Sequence, residues 1–337
     1  RITYYSDSNY ENVTGYYDGY GQWCATTKKL RYKIEDGIKT KEYNGMKYIV
    51  HPAFCSDVNY GGFGKEISGF WVAKFKVSAN EHDALGNMYG LTGDLQSVPG
   101  VWIGFKQTPG GFYKIARNAT FGYTGEKDPI DGYTSYMNSH MAKNSEWGAV
   151  AYLSKSKYGK ENEEVWINNS SSYITGSAGN SASASGNTGT TTDYTSTQGV
   201  KASTTGTVYG VYDMSGGAWE YVAGYVNNGH GNLTNYGSSL VNGDAKTKNV
   251  YSKASSDSYE NNYNANSSKY GDAVYETSAN GNTSNGSWYG DYSNFPYTLF
   301  SFFERGGCCS NVTHAGVFAL EKHNGVSSIV SSRPVLA

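Results

Sequence analysis

The chain has 337 residues and a formal net charge of −2, and its 27 Lys and Arg residues form no basic block. This balance excludes the electrostatic footprint of a nucleic-acid-binding protein, and the absence of a long apolar run excludes direct membrane insertion of this segment. Charged residues make up only 17% of the chain while 32 Tyr and 43 Gly are present, a composition shared by binding loops and by loop-rich extracellular all-β proteins.

The first 68 residues are rich in tyrosine and only patchily apolar. Short strand-like runs such as residues 47–50 are separated by Gly, Asn and Asp, which favour turns. We interpret residues 1–68 as an N-terminal attachment or packing segment and residues 69–337 as the main domain. Cys24 and Cys55 fit either a disulfide in an oxidising compartment or two buried thiols, and they lack the CxxC spacing of a zinc or redox site.

The first clear core strand is predicted at residues 70–77, where apolar and polar side chains alternate, and residues 102–105 form a second such run. The strongest helix prediction falls within residues 133–158. Asn144 and Ser145 can cap a helix that begins at Glu146. The residues that then recur at helical spacing are Trp147, Val150, Ala151 and Ser154.

His140 lies just before this helix, on a predicted upstream helical turn with Met137 and Met141. A histidine can serve as a metal ligand or as a catalytic base. A single histidine among methionines and tyrosines, however, is more often a packed and hydrogen-bonded core residue. We therefore expect His140 to have a structural role.

Two long polar stretches follow, and both are predicted to be surface insertions. Residues 168–205 consist mainly of Ser, Thr, Gly and Asn, and residues 227–286 are rich in Asn, Ser, Gly and Tyr. Loops of this length in a compact domain are either functional or mobile. The tyrosines favour an ordered, contact-making second insertion, and residues 227–292 are expected to form a wall beside a binding face.

The C-terminal half carries the most specific patterns. Residues 208–221 predict an alternating apolar strand, a Gly-rich turn that Asp213 would cap, and an aromatic strand whose Trp219 would enter the core. Arg305 stands beside Gly306 and Gly307, a flexible corner, and residues 333–336 predict a short terminal strand.

These patterns resemble a known family. Residues 209–221 resemble the GLYDMSGNVWEW hallmark of the formylglycine-generating-enzyme type of C-type-lectin fold, and residues 332–336 resemble its terminal GFRPVL strand. Residues 70–78 resemble its opening strand, and residues 144–158 are similar to a helix common in variable proteins of gut bacteria and their phages. The resemblance implies an α+β, C-type-lectin-like domain with sparse regular secondary structure and two helices flanking antiparallel strands.

In the branch of this family that is diversified by retroelements, mutagenic reverse transcription varies codons between the RGG and RPVL segments. The resemblance therefore implies a variable ligand-binding face within residues of about 300–332, set among the scaffold residues Ala315, Gly316, Val317, Phe318, Asn324 and Gly325. The residues predicted to form the variable face are Cys308, Cys309, Ser310, Val312, His314, Leu320, Lys322, His323, Val326, Ser328, Ile329 and Val330.

The identities of these residues look arbitrary for an ordinary loop. Two cysteines, valine and isoleucine at surface positions make little structural sense in an ordinary loop, but random mutation of these codons would produce such a set of residues. Glu321 and Lys322 depart from this pattern, because randomised asparagine codons do not readily produce Glu or Lys. Either Glu321 and Lys322 are not diversified, or the template repeat that is reverse-transcribed carries other codons at these two positions.

An oxidase of the same fold is the main alternative. Its copper site needs two opposed thiolates, whereas this region offers only the adjacent Cys308 and Cys309. Iron-dependent relatives need a histidine cluster, whereas the six His residues are scattered, and a metal on His314, His323 and Glu321 would be a chance coincidence. The Asp and Glu residues are also too dispersed for a calcium-dependent sugar-binding lectin.

The sequence thus predicts a hypervariable receptor-binding protein that is not an enzyme and needs no cofactor or metal. The predicted partner is a cell-surface protein or glycan, and nucleic acid is excluded. The predicted location is extracellular, on a virion tail or a bacterial cell surface. A homo-oligomer is compatible with this prediction, and a trimer is expected for a tail adhesin.

Overall fold

The structure is a computed structural model that describes residues 3–5, 15–17, 23–25, 40–43, 46–79, 95–103, 105–119, 137–186, 188–325 and 329–337. The helices are α1 (Pro109–Asn118), α2 (Asn144–Ser154), α3 (Gly231–Asn242) and α4 (Tyr259–Asn266). The strands of the first half are β1 (Thr3–Tyr5), β2 (Gly15–Tyr17), β3 (Trp23–Ala25), β4 (Thr40–Tyr43), β5 (Met46–Val50), β6 (Trp71–Val72), β7 (Ser78–Ala79), β8 (Leu95–Gln96) and β9 (His140–Met141). Those of the second half are β10 (Trp219–Asn227), β11 (Asn249–Ser252), β12 (Asn280–Gly281), β13 (Ser293–Asn294), β14 (Phe302–Gly306), β15 (Gly316–His323), β16 (Val330–Ser331) and β17 (Pro334–Leu336).

The combination of helices and largely antiparallel sheets places the chain in the α+β class. The largest sheet has the order β11-β10-β14-β15-β13-β12, and β16 pairs in parallel with β10. A smaller sheet has the order β6-β17-β9 and holds the C-terminal strand between two earlier strands. Within the described ranges, no helix is long and apolar enough to cross a membrane.

The large sheet separates two hydrophobic clusters. Phe302 of β14 packs with Phe112 of α1 and Tyr221 of β10 in one cluster, whereas the adjacent Phe303 packs with Trp147 of α2 in the other. Neighbouring residues of a strand point to opposite faces of its sheet, so β14 contributes to both clusters. This double burial fixes the position of the hairpin formed by β14 and β15.

The three segments that resemble the lectin-like family meet at one buried ionic group. Arg333 donates through Nε and Nη2 to the two carboxylate oxygens of Glu220, each at 3.1 Å, and also to the carbonyl oxygens of Tyr212 and Ala73. The Nζ of Lys76 donates to the carbonyl oxygen of Gly216 at 3.0 Å. One guanidinium group thereby joins residues 70–78, 209–221 and 332–336.

The predicted helix around Trp147 is confirmed, and its start lies two residues earlier than Glu146. The Glu146 carboxylate accepts a hydrogen bond from the backbone N–H of Lys143 at 2.8 Å, as in a capping box. His140 is fully buried and lies 3.0 Å from the Glu146 carboxylate, so it is packed and hydrogen-bonded as expected. The predicted helical turn around His140 is wrong, because residues 140–141 form the strand β9, which pairs antiparallel with β17.

Part of the N-terminal segment packs directly on α2. Phe54 and Phe63 lie in one buried cluster with Ala149. The Lys143 Nζ donates to the carbonyl oxygens of Gly61 and Gly62 at 2.8 and 3.3 Å. Residues 51–63 are therefore integral to the core. The buried Cys55 thiol donates to the carbonyl oxygen of Pro52 at 3.2 Å and forms no disulfide within the part of the chain that the structure describes, so the buried-thiol alternative is observed for Cys55, while the side chain of Cys24 lies outside that part.

Several predicted strands are shorter than their patterns suggested. Within residues 70–77 only Trp71–Val72 is a strand, residues 102–105 contribute isolated bridges, and residues 208–212 form no regular strand. Phe105 is nevertheless held in position, because its backbone N–H and carbonyl oxygen both form hydrogen bonds with the backbone of Val330. Alternation predicts which side chains are buried, but it does not supply a neighbouring strand for every backbone group.

Both polar insertions are ordered through buried asparagine side chains. Asn168 donates to the carbonyl oxygen of Ile174 and to the carboxylate of Asp213, each at 2.8 Å. In the second insertion, the Asn266 amide exchanges two hydrogen bonds with the backbone of Ser252. This insertion contains α3, β11 and α4, so the prediction of surface loops is wrong there, while the expected order is observed.

Candidate ligand-binding face

The candidate face is built on the hairpin of β14 and β15. Gly306 and Gly307 lie at its corner with φ of 86° and 74°, a region that L-residues rarely adopt. A Cβ on Gly307 would lie 2.7 Å from the Cα of Ala315, so the corner needs glycine. Arg305 precedes the corner, and its Nε donates to the side chain of Asn144 at 2.7 Å, which ties the hairpin to α2.

The loop between the two strands is fixed by backbone hydrogen bonds. The N–H of Cys309 donates to the carbonyl oxygen of Gly217 at 2.7 Å, and the side-chain oxygen of Asn311 accepts from the N–H of Cys308 at 2.6 Å. The loop ends where the His314 carbonyl oxygen accepts from the N–H of Tyr292 at 2.9 Å. The loop therefore has one defined backbone path while most of its side chains reach the surface.

Most of the predicted face residues that the structure describes are accessible. Those that are partly or fully exposed are Cys308, Ser310, Val312, His314, Lys322, His323 and Ile329. Val326 and Ser328 lie outside the described residues.

Three predicted face residues are buried, and their assignment to an exposed surface is corrected. Cys309, Leu320 and Val330 are 5%, 0% and 1% exposed. Leu320 points into the cluster around Trp147, because β15 alternates between its two faces. Val330 sits in β16 beside Trp219 of β10, and the Cys309 thiol turns inward, where burial raises its pKa.

Of the six residues expected to form the scaffold, all except the partly exposed Asn324 are buried. Ala315, Val317 and Phe318 are at most 6% exposed. Asp291 holds this stretch, since its carboxylate accepts from the N–H of Phe318 at 2.9 Å, and a Cβ on Gly316 would collide with it. Burial raises the pKa of Asp291 to about 8.

Tyr292 connects the loop to the middle of β15. Its N–H donates to His314, and its carbonyl oxygen accepts from the N–H of Leu320 at 2.8 Å. Its ring meets that of Trp219 edge to face, with centroids 6.2 Å apart. Trp219 is only partly buried, which corrects the prediction that it enters the core fully. The two rings thus form a partly exposed aromatic centre between the loop and the strand.

Tyr221, His323 and Gly325 form a cluster of hydrogen bonds at the C-terminal end of β15. The hydroxyl of Tyr221 lies 2.5 Å from Nδ1 of His323, and the N–H of Gly325 lies 3.1 Å from the same atom. Burial, followed by the nearby Lys322 ammonium, lowers the pKa of His323 to about 4. The imidazole is therefore neutral at physiological pH, and its Nδ1 acts as the acceptor for both neighbours.

Lys322 extends over an aromatic hairpin on the opposite face of β15. Its Nζ lies 4.9 Å from the ring centroid of Phe300 and 5.7 Å from that of Tyr297. The segment 227–292, expected to form a wall beside the face, approaches the loop where the His314 Nδ1 lies 3.3 Å from the carbonyl oxygen of Gly290.

The face contains no arrangement suited to a catalytic metal among the residues that the structure describes. No group of three or more His, Cys, Asp or Glu side chains is placed to hold a metal ion in that part of the chain. The side chains of Cys308 and Cys309 enter different environments, the first near Ser310 and the second in the interior. His314 and His323 contact different neighbours, Gly290 and Tyr221.

Sequence analysis missed Glu304 and the role of Tyr292. Glu304 lies directly opposite Glu321 in the register of β14 and β15, and opposite Tyr221 across β10. Its position one residue before the RGG corner was visible, but the strand pairing that brings the two carboxyl groups together was not.

No protein-family model matches this chain, and a search of curated proteins gave no match.

Proposed function

We propose that this chain is a hypervariable, adhesin-like binding protein diversified by a retroelement, with residues 69–337 in a C-type-lectin-like fold of the formylglycine-generating-enzyme type. In this proposal it binds a protein or glycan receptor on a cell surface. The surface used comprises the loop 307–315 and the exposed part of β15, both supported by the buried strand β14. The protein acts outside the cell, on a phage tail or a bacterial surface, and performs no catalysis. A trimer is expected if it belongs to a tail fibre.

The observation that carries the proposal is the separation of roles along residues 307–325. The backbone is held by buried residues such as Ala315 and Phe318, by the left-handed Gly307, and by amide hydrogen bonds of the loop. The side chains of Ser310 and Val312 project from this fixed path without supporting it. Exposed side chains on a rigid scaffold can change at little cost in stability, which is what a diversified binding surface requires.

Val312 adds independent support. Its backbone lies in the left-handed region with φ of 53°, which is unfavourable for a β-branched residue and much less so for asparagine. A residue selected for the loop would be Gly or Asn. A valine is the kind of residue that random replacement of an asparagine codon would leave at this position.

The decisive experiment is to sequence this locus, together with its downstream DNA, in closely related isolates. The proposal expects substitutions concentrated in codons 308–330, opposite adenines of a near-identical template repeat beside a reverse transcriptase gene. Within that region, codons for Ala315, Phe318 and the other scaffold residues should be constant. Invariance of the whole region and the lack of a template would refute the retroelement proposal.

Two further assays separate the alternatives in the same fold. Oxidation of a cysteine-containing sulfatase peptide by the purified protein would assign it to the oxidases instead. Glycan binding that is lost in the presence of a chelator would assign it to the calcium-dependent lectins.

A further inference from the structure

Glu304 lacks the basic partner that two other buried glutamates of the fold have. Glu220 is paired with Arg333, and Glu146 lies within ion-pair distance of Lys143. Glu304 is 2% exposed, and no Lys or Arg among the described residues lies within ion-pair distance of it. Its Oε1 has no hydrogen-bond partner within that part of the chain. A buried carboxyl oxygen in this situation normally has a partner.

The groups around Glu304 offer no positive charge to replace the missing partner. Tyr221 faces it from β10 and its hydroxyl shares a hydrogen bond with the Glu304 carboxyl, while Glu321 faces it from β15. The Nδ1 of His323 lies 3.9 Å from its Oε1 but accepts hydrogen bonds as a neutral ring. Burial, with the adjacent Glu321 carboxylate, raises the pKa of Glu304 well above its usual range. An ionised Glu304 would stand directly opposite the Glu321 carboxylate, and like charges so placed are destabilising, so an added cation would stabilise the ionised pair.

The pair is open to solvent on one side. The side chains of Glu321 and His323 are 22% and 20% exposed, whereas that of Glu304 is 3% exposed. The partly exposed Tyr292 stands next to Glu321, whose carboxyl shares a hydrogen bond with the Tyr292 hydroxyl, and the Tyr292 ring meets that of Trp219. Glu321 is therefore the carboxylate that an external group reaches first, beside the ring of Tyr292.

We propose that Glu304 and Glu321 form a subsite for a guanidinium group, supplied by an arginine side chain of a protein receptor; this inference rests on the proposed binding function of the same face. A guanidinium group is planar, donates along two directions to carboxylates and stacks on aromatic rings. A divalent metal fits less well, because no three-residue metal-binding group is present among the described residues. The commitment to arginine separates this ligand from an uncharged glycan.

Lys322 is the internal competitor for this subsite. Its Nζ lies 3.5 Å from the Glu321 carboxylate, but it also lies over the ring of Phe300 at 4.9 Å. It can therefore leave Glu321 without losing all its contacts when a guanidinium group binds. Lys322→Met should remove this competition and increase affinity for a guanidinium ligand.

The test uses N-acetyl-arginine amide as the probe and N-acetyl-citrulline amide as its uncharged, isosteric control. Titrations of the full chain by calorimetry or NMR should show saturable binding of the arginine probe alone. Affinity should fall by about tenfold or more in Glu304→Gln and in Glu321→Gln, and should rise in Lys322→Met. Glu163→Gln, at a side chain that is 74% exposed elsewhere, is the matched control and should bind as the unmodified protein does.

A second readout excludes a purely structural effect. Binding should release up to about one proton, measured as heats that differ between buffers of unequal ionisation enthalpy, because a guanidinium partner favours the ionised form of Glu304. Glu304→Gln should abolish this proton release, because the amide keeps the shape of the side chain but cannot ionise. If Glu304→Gln does not fold, Glu321→Gln tests the subsite through the partly exposed Glu321.

Lack of saturable binding, equal affinity for the citrulline control, or full affinity in both glutamine variants would overturn the subsite. Such results would leave the proposed function intact if codons 308–330 still vary among isolates. Conversely, probe binding with an invariant locus would support the subsite and refute the retroelement.

Discussion

Arg333, near the end of the chain, and Glu220, at the start of β10, are joined by two hydrogen bonds of 3.1 Å in a fully buried environment. Lys76 lies 3.9 Å from the same carboxylate. Removing the negative charge by Glu220→Gln would leave two buried cations without their partner. Breaking a buried ion pair in this way costs about 3 to 5 kcal/mol. We expect this loss in the free energy of unfolding, measured by denaturant titration at neutral pH.

The matched control is Glu163→Gln, which removes a carboxylate whose side chain is 74% exposed. Its cost should stay within about 0.5 kcal/mol. Similar losses for the two variants would contradict the central role of the Arg333 and Glu220 pair in the fold.

Burial divides the predicted variable residues into two classes with different costs of substitution. Leu320 is 0% exposed within the cluster around Trp147, and Leu320→Ala should destabilise the protein by about 2 to 5 kcal/mol. Ser310 is exposed on the loop, and Ser310→Ala should change the free energy of unfolding by about 0.5 kcal/mol or less. Thermal or denaturant unfolding of the two variants checks this. A small effect at Leu320 would restore it to the variable surface.

Sequence analysis succeeded where one short segment contains the whole signal. The helix around Trp147, the terminal strand at Pro334–Leu336 and the RGG corner each depend on local spacing, and each is present. It failed where the outcome depends on partners distant in sequence. The burial of Leu320 depends on the pairing of β15 with β14 and β13, because hydrophobic clusters cover both faces of this sheet.

The polar insertions illustrate the second limit. Their composition indicates loops, because few apolar residues are available to form a core. In the structure, Asn262 and Asn266 are fully buried and satisfy backbone groups, as in the 2.8 Å bond from the N–H of Ala254 to Asn262. Such side-chain to backbone pairing leaves no periodic pattern in the sequence, and it could not be predicted.

The left-handed backbone of Val312 predicts a stabilising substitution. Holding a residue other than glycine in this backbone region destabilises the fold by about 1 to 3 kcal/mol. Among those residues asparagine is one of the least unfavourable. Val312→Asn should therefore raise the free energy of unfolding by about 1 kcal/mol. Ser310→Asn is the control, because Ser310 lies on the same loop without a positive φ and should gain nothing. No gain at residue 312 would show that the valine side chain makes compensating contacts.

Asp291 makes the stability of the β15 scaffold depend on pH. Burial raises its pKa to about 8 from an ordinary value near 4, so the folded state binds a proton that the unfolded state releases between these pH values. Stability contributed by the protonated carboxyl is therefore lost as pH rises towards 8. The slope can reach about 1.4 kcal/mol per pH unit.

The cleanest window is pH 6.5 to 7.5. Burial lowers the pKa of His51 to about 3 and that of His323 to about 4, so their opposite effect fades above the ordinary histidine pKa of about 6.5 and is the same in the two proteins compared. Lys155, with a pKa lowered to about 8, is still largely protonated. Glu276, with a pKa raised to about 7, adds to the same trend in the lower half of the window. In Asp291→Asn, the amide oxygen can still accept from Phe318, and about 1 kcal/mol of the stability decrease over this window should disappear. Urea titrations at the two pH values measure the difference, and an unchanged decrease would mean that Asp291 is already ionised in the folded protein at neutral pH.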